Sequence, residues 1–150
     1  MLSSWLSEDR VILDFEAKDK WDAIHRLAET LRGSQEIPDF SRFMEDLLNR
    51  EQQQTTGVGG GIALPHARSD AVEKLIVAVG VTRSPLDFES VDGRPVNLIF
   101  LMGVPHESAV EYIKLLAHLT KTVCKADVVK RMLAASDASC LIEVLRDLEG

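Results

Sequence analysis

Apolar side chains recur at helical spacing through residues 18–32, as Trp21, Ile24, Leu27, Ala28 and Leu31, and Gly33 follows as a stop. Pro38-Asp39 opens a second amphipathic segment over 38–51, with Phe40, Phe43, Met44, Leu47 and Leu48 on its apolar face. Past residue 108 the pattern is helical again. Ala109, Tyr112, Ile113, Leu116, Leu119 and Val123 form a stripe behind Ser108, a suitable N-cap. Two more helices are predicted over 126–134 and 136–148, with Asp137 helping to start the second. Val128, Val129, Met132 and Leu133 give the first its buried face, and Leu141, Ile142, Val144, Leu145 and Leu148 the second.

The strand signals lie between. Val11-Ile12-Leu13-Asp14-Phe15 is short and β-branched at its start. Residues 74–82 carry a nearly continuous apolar run, Leu75 to Val81, of the kind found in strands covered on both faces. Ser84-Pro85 is read as its end, Leu86-Asp87-Phe88 as a short edge strand, and Asp92-Gly93-Arg94-Pro95 as a turn. Residues 96–103 form another central strand, and residues 2–6 a helical turn that carries Trp5 toward the core. Three buried strands among helices predict an α/β fold with helices packed on a sheet.

A chain of 150 residues suits one domain over 1–150, long enough to bury a substantial core. A net charge of −7 argues against general nucleic-acid binding, which needs a basic surface to displace counterions, though a local basic site is compatible with it. The apolar runs are too short for a membrane span and the start lacks a signal-peptide layout, so a cytoplasmic protein without membrane insertion is expected. Cys124 and Cys140 lie in helical patterns without metal-ligand spacing and are read as free thiols in a reducing compartment.

Candidate chemistry is concentrated at Thr56-Gly57-Val58-Gly59-Gly60-Gly61-Ile62-Ala63-Leu64-Pro65-His66. Four of the nine glycines fall within five residues there, and such a run can turn backbone N–H groups toward an anion. Pro65 stiffens the approach to His66. No Gly-Lys-Ser/Thr follows, so this is not a nucleotide P-loop, and the glycine spacing does not match the dinucleotide fingerprint. Taken alone, a glycine loop is equally a plain turn, and a lone histidine is more often a hydrogen-bonded surface residue than a nucleophile.

Arg50-Glu51 followed by that stretch resembles the active-site signature of the fructose/mannitol-type enzyme IIA domains of the bacterial phosphoenolpyruvate-dependent phosphotransferase system (PTS), nitrogen-regulatory branch included. The likeness runs from Asp19-Lys20 and Ala23-Ile24 to the C-terminal helices. It implies the EIIA type-2 fold, a mixed β-sheet sandwiched between helices on both faces, and a phosphotransferase in which His66 is the phosphorylated nucleophile, on Nε2 in relatives. Arg50, Thr56 and the backbone amides of Gly57, Gly59 and Gly61 are then expected to stabilise the phosphoryl oxygens, with no metal or organic cofactor. The implied donor is the histidine phosphocarrier HPr or its nitrogen-branch homologue.

One position departs from the family. Aligned through Leu115-Leu116-Ala117, the place of a second histidine is taken by Tyr112, whose hydroxyl can donate to a phosphoryl oxygen but brings no imidazolium charge. His106, in the preceding loop, is an alternative substitute. His25 and His118 are read as ordinary helix residues, and 52–54 as a linking loop.

Two roles follow for what reads as a free-standing IIA. The protein is a regulatory carrier of the nitrogen type, or a sugar-transport component passing its phosphate to a fructose/mannitol-type IIB domain. The regulatory role is preferred on length and ending; Tyr112 also raises a degenerate binding domain that is not phosphorylated.

Overall fold

The computed structural model describes residues 5–123 and 125–149, with the side chains of residues 109, 120, 122, 123, 148 and 149 excepted. Residues 2–4 of the turn expected over 2–6, Cys124 and the side chains of the stripe positions Ala109, Val123 and Leu148 lie outside what is described, while Trp5 packs against the core as expected. Val11–Phe15 forms β1, and α1 follows at Lys20–Ala28. Asp19 caps α1 by accepting the Asp22 N–H at 2.9 Å. The helix predicted to reach Arg32 stops short: its last turn tightens into a 3-10 segment, Glu29–Leu31, and Arg32 is already extended before Gly33. In α2, Phe40–Gln53, Asp39 is the cap and accepts the Arg42 N–H at 3.1 Å.

Three strands then follow in quick succession, β2 (Gly57–Gly59), β3 (Ile62–Ala63) and β4 (His66–Arg68). Pieces of two or three residues carry too little periodicity to be read from sequence, so only three of the six described strands are foreseen. β5 spans Ile76–Leu86 and β6 Val96–Val104. Ser84-Pro85 does not end β5. The register shifts between Val81 and Leu86, and an irregularity of that kind accommodates a proline within a strand. Leu86 closes β5, so the separate edge strand expected at 86–88 is absent, and Phe88 is instead fully buried in irregular backbone. Helices α3 (Ala109–Val123), α4 (Ala126–Leu133) and α5 (Ala138–Glu149) complete the order. Asp137 accepts the Cys140 N–H at 2.8 Å ahead of α5.

The sheet order is β1-β5-β6-β3-β2, with β4 also on β6. β1 and β5 are parallel, β5 and β6 antiparallel, and β3 and β4 both run parallel to β6 along one edge of it. Alternation along the central strands builds two cores. Ile76, Ala78, Ile99 and Leu101 pack with α1 and α2, while Val77, Val79, Leu98, Phe100 and Met102 pack with α3, α4 and α5. Gly80 on β5 is a close-approach position: a Cβ there falls 2.8 Å from the Phe15 ring and 3.2 Å from Leu27.

Candidate functional site

The glycine run is a hairpin. Gly59, Gly60 and Gly61 all have positive φ (102°, 67° and 82°), which turns β2 back into β3 in a space that residues with a Cβ rarely tolerate. Asp92 accepts the Gly60 N–H at 3.0 Å, and the Gly61 carbonyl takes the N–H groups of Asn97 and Leu98. At the hairpin base the Thr56 carbonyl accepts the Leu64 N–H at 3.0 Å. The chain therefore leaves the turn lying along β6, pairing Ile62 with Leu98 and, after Pro65, His66 with Met102. Pro65 has no N–H, and its carbonyl accepts from Met102 at 2.9 Å.

That interruption sets up His66. The Leu64 carbonyl takes the Nδ1–H of the ring at 2.8 Å, which leaves Nε2 unprotonated. Tyr112, on α3, donates its hydroxyl to Nε2 at 3.0 Å, with the two rings tilted by 41°. β4 lies at the sheet edge, so His66 meets α3 from one helical layer and residues of α2 from the other. The half-buried imidazole opens on a cavity of about 470 Å³, shared with Arg50, Gln53, Arg68 and His106. Burial pushes the His66 pKa below the ordinary histidine range. The Leu64 hydrogen bond opposes this, the Arg50 guanidinium lowers it further, and Glu51 works upward. Burial likewise raises the Tyr112 pKa, against a pull downward from Arg50 and Arg68. Both groups are thus held neutral near pH 7, one with a lone pair to offer and the other with a proton.

Of the residues expected at the phosphoryl oxygens, Arg50 and Tyr112 stand with His66. Arg50 donates Nη1–H to the Gln54 carbonyl at 2.9 Å beyond the end of α2. A guanidinium has five N–H donors, so that bond leaves capacity for an anion. Thr56 and the glycines do not line the His66 cavity. The Thr56 hydroxyl is bound to Glu51 at 2.6 Å, the Gly57 N–H to the Thr55 hydroxyl at 3.1 Å, and Gly61 borders a different cavity toward α4. His106 reaches the cavity rim, 3.7 Å from Asp70, and its carbonyl receives Arg68 Nη2–H at 2.8 Å.

Arg68 went unforeseen, although its signal was available: in a strand, residue i+2 shares the face of residue i, so a cation two positions past His66 belongs beside it. Glu51 was visible in the signature but had no assigned task.

The model of the phosphoenolpyruvate-dependent sugar phosphotransferase system EIIA 2 family matches residues 4–148. A nitrogen regulatory protein of Pseudomonas aeruginosa is 31% identical over 151 residues, covering 99% of this chain and 97% of that protein. The fructose-specific EIIABC component of Bacillus subtilis is 28% identical over 144 residues; the match takes in 96% of this chain but only 23% of that longer protein. Among solved structures, the nitrogen regulatory protein IIA-Ntr of Neisseria meningitidis superposes with a TM-score of 0.89 at 27% identity, over 96% of this chain and 98% of that one. With a family model spanning nearly every residue and the family's α/β architecture in place around His66, the chain belongs to the type-2 EIIA family of the PTS and is a phosphotransfer protein.

Proposed function

We propose that the chain is a cytoplasmic phosphohistidine carrier of the nitrogen-regulatory kind, charged on Nε2 of His66 by HPr or a nitrogen-branch homologue. The carrying observation is the pair of hydrogen bonds at one ring: Nδ1–H on the Leu64 carbonyl and Nε2 facing a donor hydroxyl beside an open, arginine-bearing cavity. In the transfer, the Nε2 lone pair attacks the donor's phosphorus. A P–N bond forms at His66 as the donor's P–N bond breaks, and the donor imidazole leaves with that electron pair. The Nδ1 proton stays in place, and its bond to Leu64 strengthens as the ring takes on positive character. Arg50 and Arg68 face the equatorial oxygens as fixed donors, and the Tyr112 hydroxyl turns from Nε2 to one of those oxygens.

The regulatory branch is favoured by the near end-to-end match with the Pseudomonas protein and the superposition on the Neisseria one. The match with a segment of a fructose-specific EIIABC component keeps a second reading, in which the acceptor is a IIB domain. Labelling with phosphorylated donor proteins tests both. Wild type takes up one phosphoryl group and His66→Ala none; uptake by that variant refutes the site. Chase of the label onto a fructose-type IIB domain at a rate matching its uptake replaces the regulatory reading by the transport one.

A further inference from the structure

Behind the cavity sits a charge that phosphoryl transfer leaves without a task. Glu51 is 2% exposed and Lys20 7%, and the two are 3.4 Å apart. An apolar pair of that volume is often no worse for stability, so a buried carboxylate is informative through what its oxygens hold. Here both oxygens hold the same residue. Oε2 accepts the Thr56 N–H at 2.9 Å and Oε1 the Thr56 hydroxyl at 2.6 Å. The Thr56 carbonyl then accepts from Leu64 at 3.0 Å, and the Leu64 carbonyl accepts Nδ1–H of His66 at 2.8 Å.

We propose that Glu51 is a positioning residue: by clamping Thr56 it sets the Leu64 carbonyl that fixes the His66 tautomer. Lys20 supplies the opposite charge from α1, with its ammonium also 4.9 Å from the centre of the Trp21 ring. The clamp needs a carboxylate. Two donors of one residue face two acceptor oxygens, whereas glutamine offers one acceptor and presents its amide N–H₂ group to a donor. Glu51 lies in the last turn of α2, one residue past Arg50, so the same helix end delivers a cation to the front of the site and the anchor to its back. The inference rests on the phosphocarrier reading for its effect on transfer; the tautomer itself is a property of the unphosphorylated chain.

The test reads the imidazole ¹⁵N signals of His66 in the full chain, which report which ring nitrogen carries the proton, alongside the rate of labelling by phosphorylated HPr. Lys20→Met with Glu51→Met removes both acceptors of the clamp without stranding a buried charge. A mixed tautomer and labelling slowed roughly ten- to a hundredfold, the range for a misplaced reacting group, are expected. Thr56→Val keeps the backbone half of the clamp and gives a smaller shift of the same sign, and Thr56→Ser, with both donors present, reverses it. Should the double variant lose its fold, the Thr56 pair carries the same readout. A folded double variant whose Nδ1 remains fully protonated overturns the proposal, whatever its labelling rate. A tautomer that responds to these changes in a chain that never accepts phosphate supports the positioning role and refutes the carrier function instead.

Discussion

Removing the Tyr112 hydroxyl separates two tasks that a single hydrogen bond combines. In the resting protein it donates to Nε2 at 3.0 Å, a neutral bond between part-buried groups. Such a bond contributes about 1 kcal/mol net. Attack on phosphorus requires Nε2 to give it up. On the proposed mechanism, once the phosphoryl group is on the ring the same hydroxyl faces an oxygen bearing negative charge, and a bond of that type contributes about 1.5–3 kcal/mol. Tyr112→Phe loses the first in one state and the second in the other. The phosphorylated form is therefore weakened by the difference, about 0.5–2 kcal/mol, or roughly a 2- to 30-fold shift of the exchange equilibrium toward the donor. The assay mixes the variant with a phosphorylated donor, lets the exchange run to equilibrium and measures how the label partitions. NMR titration of the same variant is expected to move the His66 pKa upward, because a donor to the neutral ring's lone pair is gone. An unchanged partition, or one that favours the phosphorylated variant, refutes the idea that the hydroxyl re-aims to the phosphoryl group and leaves it only a cap on the resting ring.

Arg50→Ala is expected to slow labelling roughly ten- to a hundredfold, since a fixed charge opposite the transferring group is lost. It also removes the bond to the Gln54 carbonyl, for a loss of about 1 kcal/mol in a denaturant titration. The His66 pKa lies below the ordinary histidine value in the folded state, so the unfolded chain binds more protons in the window between the two. Stability is accordingly complete above the ordinary histidine range and falls as pH drops through that window. Paired melts of wild type and His66→Asn should show the acid-side loss shrinking in the variant. Gly80→Ala forces a methyl against Phe15 and Leu27 and is expected to cost about 1–3 kcal/mol by thermal unfolding, with labelling by the folded fraction intact.

The long elements were legible because their periodicity is redundant. Five apolar positions mark α2, β5 is apolar from Ile76 to Val81, and β6 is apolar nearly throughout. The short strands were not, because β2 is a three-residue arm of a local hairpin and β3 and β4 are defined by a partner far along the chain: β4 exists through its pairing with Met102 to Val104. Pro85 misled for a related reason, since a proline reads as a strand end until a register shift with the neighbouring strand accommodates it. At the site, His66 and Arg50 could be named from the signature, as could the substitution at Tyr112. The destination of the glycines could not. A glycine run announces positive φ, and whether the resulting turn cradles an anion or closes a hairpin depends on Asp92 and Asn97, some thirty residues on.

A second histidine would give this site a charge that follows pH, whereas Tyr112 gives it a proton donor that does not change through the physiological range. Burial raises the Tyr112 pKa, and Arg50 and Arg68 both pull against that rise, which places two guanidinium fields on the atom that faces Nε2. Guanidinium groups stay charged at every pH at which the protein is folded. The positive charge needed opposite a phosphoryl group is then permanent, and the proton needed for its third oxygen is supplied by a neutral hydroxyl. Of the two groups that meet at Nε2, titration in the physiological range is left to the imidazole; His106, at the cavity rim, is a second imidazole that His106→Asn removes. On the proposed reading, an acid limb in the labelling rate that survives His106→Asn reports protonation of His66 itself, and it falls below the ordinary histidine range because burial, first of all, disfavours the charged ring.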